Sequence, residues 1–219
     1  ELIWMSERTG YAHLYLYDLN SGKLKHPITQ GDWLVREILQ VDAKNREIIV
    51  QTAGRDPEIN LYFKDICRIH LDTGEITPLA EGDYEHNVAI PHHGGSFWGY
   101  HWEGLGLRAN GVSPCGQYVI TTRSRIDTVP ETVLIGDDGQ ERFIVETAEV
   151  SGLPEDWVWP ESVKMKASDG KTDIYGVLFR PAGFDPAQSY PVVEFSSSVR
   201  MARYLPVGSF RNASLFGEH

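Results

Sequence analysis

Only two cysteines occur in 219 residues, Cys67 and Cys115. That excludes a dense disulfide framework and leaves either one bridge or two free thiols. No apolar run approaches the length of a membrane-spanning helix. Blocks of Lys and Arg are also missing. The chain has 20 basic and 31 acidic residues, a net charge of −11. Such a surface disfavours nucleic acid and anionic lipid as main partners. The first residue is Glu1, and no basic-then-apolar leader follows it, which leaves the compartment open. Helical periodicity is almost absent. So is the Gly-x-Ser-x-Gly pentapeptide that exposes the nucleophile of a serine hydrolase.

Short alternating segments fill the chain instead. Leu2 to Met5, His13 to Tyr17, Val35 to Val41 and Glu47 to Gln51 read as strands. Asn60 to Lys64, Ile66 to Leu71 and Tyr118 to Thr122 do so as well. Three turns, Asn20-Ser21-Gly22, Asp72-Thr73-Gly74 and Asp137-Asp138-Gly139, each follow a strand-like run. Each precedes a short strand: Lys23 to Ile28, Glu75 to Leu79 and Glu141 to Val145. The turn glycines lie 74 − 22 = 52 and 139 − 74 = 65 residues apart. A blade of four short strands needs about 40–50 residues, so the spacing suits a β-propeller. A β-sandwich with recurrent turns fits the same pattern. The fold class expected is therefore all-β.

Composition changes near residue 150. Ser151 to Asp156 reads as a linker. Ser162 to Lys166 and Ile174 to Phe179 follow as strands about an Asp169-Gly170 turn, and Pro191 to Phe195 reads as a more buried strand. The text from Ser196 onward has no clean period and reads as an irregular tail.

Several side chains carry ligand or catalytic chemistry in principle. His92, His93, His101 and Glu103 hold metal-binding atoms, but their spacing matches no compact motif, so no metal is expected. Trp98, Tyr100 and Trp102 share one face if their segment is a strand. They fit either a binding platform or packing between sheets. Trp157 and Trp159 read as anchors at a domain interface. Cys67 lies in a strand pattern and reads as a small core residue. Cys115 lies on the Ser113-Pro114-Cys115-Gly116 turn and reads as exposed. The pairs Glu7-Arg8 and Glu85-His86 read as surface charge. No cofactor is indicated.

Taken in order, these segments resemble the dipeptidyl peptidase IV-type serine peptidases of the prolyl oligopeptidase clan. Trp4 to Asp18 resembles their propeller sequence, and Ile28 to Val35 resembles a following blade start. Gly111 to Tyr118 is similar to their S-P-D-G-x-Y turn, with Cys115 at the usual Asp. Asp127 to Pro130 also fits. Lys166 to Gly170, Ile174 to Gly176 and Tyr190 to Val193 resemble the crossing into the hydrolase domain. The likeness covers about residues 1–195.

This resemblance implies an eight-bladed propeller capping an α/β-hydrolase domain. On that frame, residues 1–150 would be about three blades of four-stranded antiparallel sheet. Residues 151–160 would be a linker, and residues 161–219 the opening strands of the hydrolase domain with an irregular tail. The family's catalytic Ser, Asp and His lie downstream of the Tyr190-Pro191-Val192-Val193 strand, so no catalytic residue is expected here. The family's oxyanion-stabilising Tyr is matched by Ser197, and its following Gly-Pro by Val199-Arg200. The implied parent is a serine exopeptidase releasing dipeptides from peptide N-termini, and the chain alone is expected to be inactive. The alternative is a stand-alone β-propeller-like binding or scaffold module. Exposed blade edges predict self-association.

Overall fold

The structure is a computed structural model and describes residues 1–88, 111–153, 155–181 and 183–193. It is all-β across these residues. Two compact units are present. Glu1–Arg123 with Thr132–Glu146 form the first, and Ser124–Glu131 with the residues from Thr147 onward form the second.

The first sheet has the order β1 (Leu2–Ser6), β2 (His13–Tyr17), β3 (Leu24–Pro27). The second has four antiparallel strands in sequence order: β4 (Leu34–Asp42), β5 (Glu47–Ala53), β6 (Lys64–His70) and β7 (Ile76–Ala80). The third also has four, with the order β11-β10-β9-β8. These are β8 (Glu85–Asn87), β9 (Tyr118–Arg125), β10 (Thr128–Gly136) and β11 (Glu141–Thr147). Among the described residues no sheet closes on itself.

The sheets stack face to face, and β5 shows why. Its run Ile48-Ile49-Val50 is apolar on both faces and fully buried. Ile48 and Val50 pack with Leu14, Leu16 and Ile28 of the first sheet and with Cys67 and Ile69 of β6. Ile49 points the other way, into a cluster with Ile66, Val119, Val133 and Ile135. The middle sheet is thus covered on both sides, which calls for a continuous apolar run rather than alternation. Each such side chain contributes about 1.5–3 kcal/mol by leaving water.

The recurrent turns do a second job. Gly74, at φ 72°, sits so close to the first sheet that an added Cβ would lie 2.9 Å from the Ile28 carbonyl oxygen. Gly139, at φ 74°, approaches the Pro78 carbonyl of the second sheet in the same way, at 2.7 Å. A turn of the second sheet thus seats just past β3, and a turn of the third sheet seats on β7. Only glycine supplies both the left-handed backbone and the missing Cβ.

In the second unit, β12 (Glu161–Lys166) and β13 (Asp173–Leu178) form an antiparallel hairpin. Its turn is held by Asp169 Oδ1, which accepts from the amides of Lys171 and Thr172 at 2.8 and 2.9 Å.

Two expected strands are corrected. Asn60 to Phe63 is a turn, and β6 starts only at Lys64. The Asn60 side chain accepts from the Tyr62 amide at 3.0 Å and its carbonyl from Phe63 at 2.9 Å. That local bonding competes with a ladder. Pro191–Val193 is not a strand, and Val193 is 93% exposed. An apolar run forms a strand only when a neighbouring ladder satisfies its backbone. Residues 194 and 195 of that run, like the tail, lie outside the described residues.

Candidate functional site

Two polar assemblies occur in the first unit. The larger lies where the β5–β6 hairpin meets β8. Thr52 and Asp65 are directly paired across β5 and β6, and the Thr52 hydroxyl donates to the Asp65 carboxylate. Arg55 Nε donates to Asp65 Oδ2 at 2.8 Å, and its Nη2 reaches Glu81 at 3.1 Å. Glu85 on β8 accepts from the Lys64 amide at 2.9 Å and pairs with Lys64 Nζ at 2.8 Å. Lys64 Nζ also donates to Asn87 Oδ1 at 2.6 Å. The Gln51 amide donates to the His86 carbonyl at 2.8 Å. β8 has only three residues, and these bonds tie it to the second sheet.

Glu85 and His86 are 8% and 3% exposed, which overturns the expectation that they are surface charge. Burial pushes the Glu85 carboxyl upward, with Lys64 opposing. Among the described residues, neither His86 ring nitrogen has a hydrogen-bond partner in good geometry. Burial lowers the His86 imidazole to about 4, and the Arg123 charge acts in the same direction. The Glu81 backbone and Asp65 pull the other way. The ring is therefore neutral at neutral pH. It is too enclosed to touch a substrate, so the cluster reads as a structural seam.

The second assembly is a cleft of about 180 Å³ between the β4–β5 turn and the third sheet. Gln40, Asp42, Glu47, Arg68, Cys115 and Asp137 are among its walls. Arg68 spans it. Its Nη1 donates to the Asp137 carbonyl at 3.1 Å and its Nη2 to the Gly116 carbonyl at 3.0 Å. Its Nε lies 3.5 Å from Glu47. Gln40 Nε2 donates to the Ser113 and Pro114 carbonyls at 3.1 and 3.2 Å. These groups are spent on gluing the 113–117 turn to the second sheet.

Cys115 is exposed and free, and Cys67 is buried and free. The contact with Ser113 Oγ at 3.4 Å lowers the Cys115 thiol, helped by the Gln117 backbone. Burial pushes Cys67 up to about 12.

Each described histidine is committed or closed off. His13 Nδ1 bonds Thr29 Oγ1 at 3.0 Å, and its Nε2 bonds the Gly31 carbonyl at 2.9 Å. His26 bonds the Pro27 carbonyl, and His70 Nδ1 accepts from the amides of Asp72 and Thr73. Among the described residues none of the four is hydrogen-bonded to a serine. Among the described residues no group of three His, Cys, Asp or Glu is placed to hold a metal. Nor is any helix there long and apolar enough to cross a membrane.

Of the residues singled out by sequence, Ser197, Trp98, Tyr100 and Trp102 lie outside the described residues, as do His92, His93, His101 and Glu103. Trp157 and Trp159 meet edge to face, with centroids 6.0 Å apart at 87°. The Trp157 Nε1 is buried, with no hydrogen-bond partner among the described residues. Sequence reasoning missed Arg55, Asp65 and Arg68. The signal was present for Asp65, an acid placed inside the apolar strand Lys64–His70.

A family profile for the dipeptidyl peptidase IV (DPP IV) N-terminal region matches residues 1–104. Human dipeptidyl peptidase 8 is 26% identical over 223 residues, covering 89% of this chain and 23% of that protein. The probable dipeptidyl peptidase 4 of Aspergillus flavus is 25% identical over 191 residues, covering 86% of this chain and 22% of its own length. The chain thus spans under a quarter of the length of these curated relatives. A crystal structure from Bacteroides ovatus, described as a dipeptidyl aminopeptidase IV, superposes with a TM-score of 0.64 at 25% identity. It covers 86% of this chain and 26% of that one. Over part of its length, this chain is a distant homologue of the dipeptidyl peptidase IV and prolyl oligopeptidase-clan serine peptidases.

Proposed function

We propose that this chain is the later part of the N-terminal β-propeller of a serine exopeptidase, followed by the first strands of its α/β-hydrolase domain. The profile match over residues 1–104 carries the reading. The repeated seating of Gly74 and Gly139 on the preceding sheet supports it, because blades of a propeller stack by one recurring contact. Residues 1–150 are the blades, 151–160 the linker and 161–219 the hydrolase opening. Trp157 and Trp159 are the anchors this reading expects between these domains.

The role of these residues is non-catalytic. The complete protein would release dipeptides from peptide N-termini through an acyl-enzyme, with the propeller restricting access to the nucleophile. Ser197 stands where the family carries its oxyanion-stabilising Tyr. A seryl hydroxyl has a shorter reach, so stabilisation of the tetrahedral intermediate there is weakened.

The test is an assay of the complete natural polypeptide and of the 219-residue chain on a dipeptidyl-proline substrate. Turnover by the former, abolished by a serine-reactive inhibitor, together with none by the latter, is the expected result. Inhibitor-sensitive turnover by the 219-residue chain, or no turnover by the complete polypeptide, overturns the reading.

A further inference from the structure

We infer that β8 is an acid-released strand: a proton taken up by His86 detaches Glu85–Val88 from β9 and from the second sheet while those sheets stay folded. The His86 ring is 3% exposed, and among the described residues nothing in good geometry bonds either of its nitrogens. Neutral, such a ring tolerates an apolar enclosure. Protonated, it becomes a buried cation with two N–H donors and no acceptor in place for them.

The charges around the ring come from three directions. β9 brings Arg123, which repels a second cation. β6 brings Asp65, which favours the charged ring, but that carboxylate is already engaged by the Thr52 hydroxyl and Arg55 Nε. The segment after β7 brings the Glu81 backbone, which also favours the charged ring, while the Glu81 carboxylate is spent on Arg55. On β8 itself, the neighbouring Glu85 lies on the opposite face of the strand, where Lys64 and, more weakly, Arg36 act on it. The acids near His86 are thus committed to other cations.

The attachments of β8 are few enough to fail together. The strand has three residues. The Gln51 amide holds the His86 carbonyl at 2.8 Å, and the Thr121 hydroxyl holds the Asn87 carbonyl at 3.1 Å. Lys64 Nζ holds Asn87 at 2.6 Å and Glu85 at 2.8 Å. Val88 adds one buried apolar side chain to the cluster of Val119 and Val133. By contrast, β5 and β6 pair with each other over seven residues without any help from β8. Elements with few contacts open at lower free energy than core strands. Glu85 opposes release, because its raised carboxyl takes a proton more readily when β8 is seated. The inference does not rest on the peptidase reading, and an inactive complete protein would leave it standing.

The test is amide hydrogen exchange of the complete natural polypeptide at pH 6.5 and pH 4.5, each rate taken relative to the unfolded chain at the same pH. Opening at residues 86–88 should increase roughly 30-fold on acidification, as a ring held near 4 when seated returns to its ordinary 6.5 when released. At both pH values residues 48–50 of β5 should exchange at least about tenfold more slowly than β8. His86→Gln should abolish the increase. Glu85→Gln should enlarge it, and Arg123→Gln should shrink it by removing the like charge. Opening that ignores pH, an increase that survives His86→Gln, indifference to both Glu85→Gln and Arg123→Gln, or equal exchange of β8 and β5 would each overturn the assignment.

Discussion

Asp65 and Arg55 meet at 2.8 Å in a largely enclosed position, with side chains only 12% and 15% exposed. The Thr52 hydroxyl and Glu81 complete the set on the two partners. A paired charge in such a place contributes little beyond what its desolvation costs, but stranding one partner is expensive. Asp65→Ala should therefore destabilise the first unit by about 2–4 kcal/mol. Arg55→Ala should cost a similar amount, and the double variant less than the sum. Denaturant unfolding of the three variants checks this, and additive losses would show that the two groups act independently.

His86 predicts acid sensitivity. Its folded value of about 4 lies below the ordinary 6.5. A group depressed on folding contributes stability that is full above its unfolded pKa. That contribution fades as pH falls toward the folded value. The loss between pH 7 and pH 4 is about 3 kcal/mol, from roughly 1.4 kcal/mol per pKa unit. Glu85 acts with opposite sign, since its raised carboxyl becomes easier to bury once protonated. His86→Gln should flatten the decline in unfolding free energy between pH 6.5 and 4.5. An unchanged slope would exclude the imidazole as its source.

Gly139 and Gly22 share a left-handed backbone, with φ of 74° and 67°. They differ in what surrounds them. A Cβ on Gly139 meets the Pro78 carbonyl at 2.7 Å, and a Cβ on Gly22 meets nothing within 4 Å. Gly22→Ala should cost about 1 kcal/mol, the backbone penalty alone. Gly139→Ala should cost about 2–3 kcal/mol, because the turn must also lift from the second sheet. Thermal unfolding of both variants measures the difference.

The two thiols should separate cleanly in a labelling experiment. Cys115 is exposed, with a thiol eased toward ionisation by Ser113. It should react at once with a disulfide reagent at pH 8. Cys67 is closed off in the core and pushed up to about 12. It should react only as fast as the unit opens. Equal rates in the native protein would contradict this packing.

The strands were largely legible because their determinants are local. His13–Tyr17 was readable to the residue, since alternation there matches the strand period. The turns at Gly22, Gly74 and Gly139 were readable from Asx-type turn chemistry. Asn60 misled for a related reason, because its side chain diverts a strand-like run into a turn. β8 was invisible, since three residues carry no period.

The candidate site was much less legible. Glu85 and His86 look like surface charge in any local window. Their burial comes from Lys64 and Gln51, 21 and 35 residues earlier in the chain. Arg68 looks like a solvated strand residue until the Gly116 and Asp137 carbonyls arrive from 48 and 69 residues away.

The order of side chains alone settled that this chain makes short strands and glycine turns. It also settled its likeness to the peptidase family. Which of its charges lose water was decided only when one sheet came to rest on another. Hydration depends on everything that surrounds a group, and most of what surrounds these groups is distant in sequence.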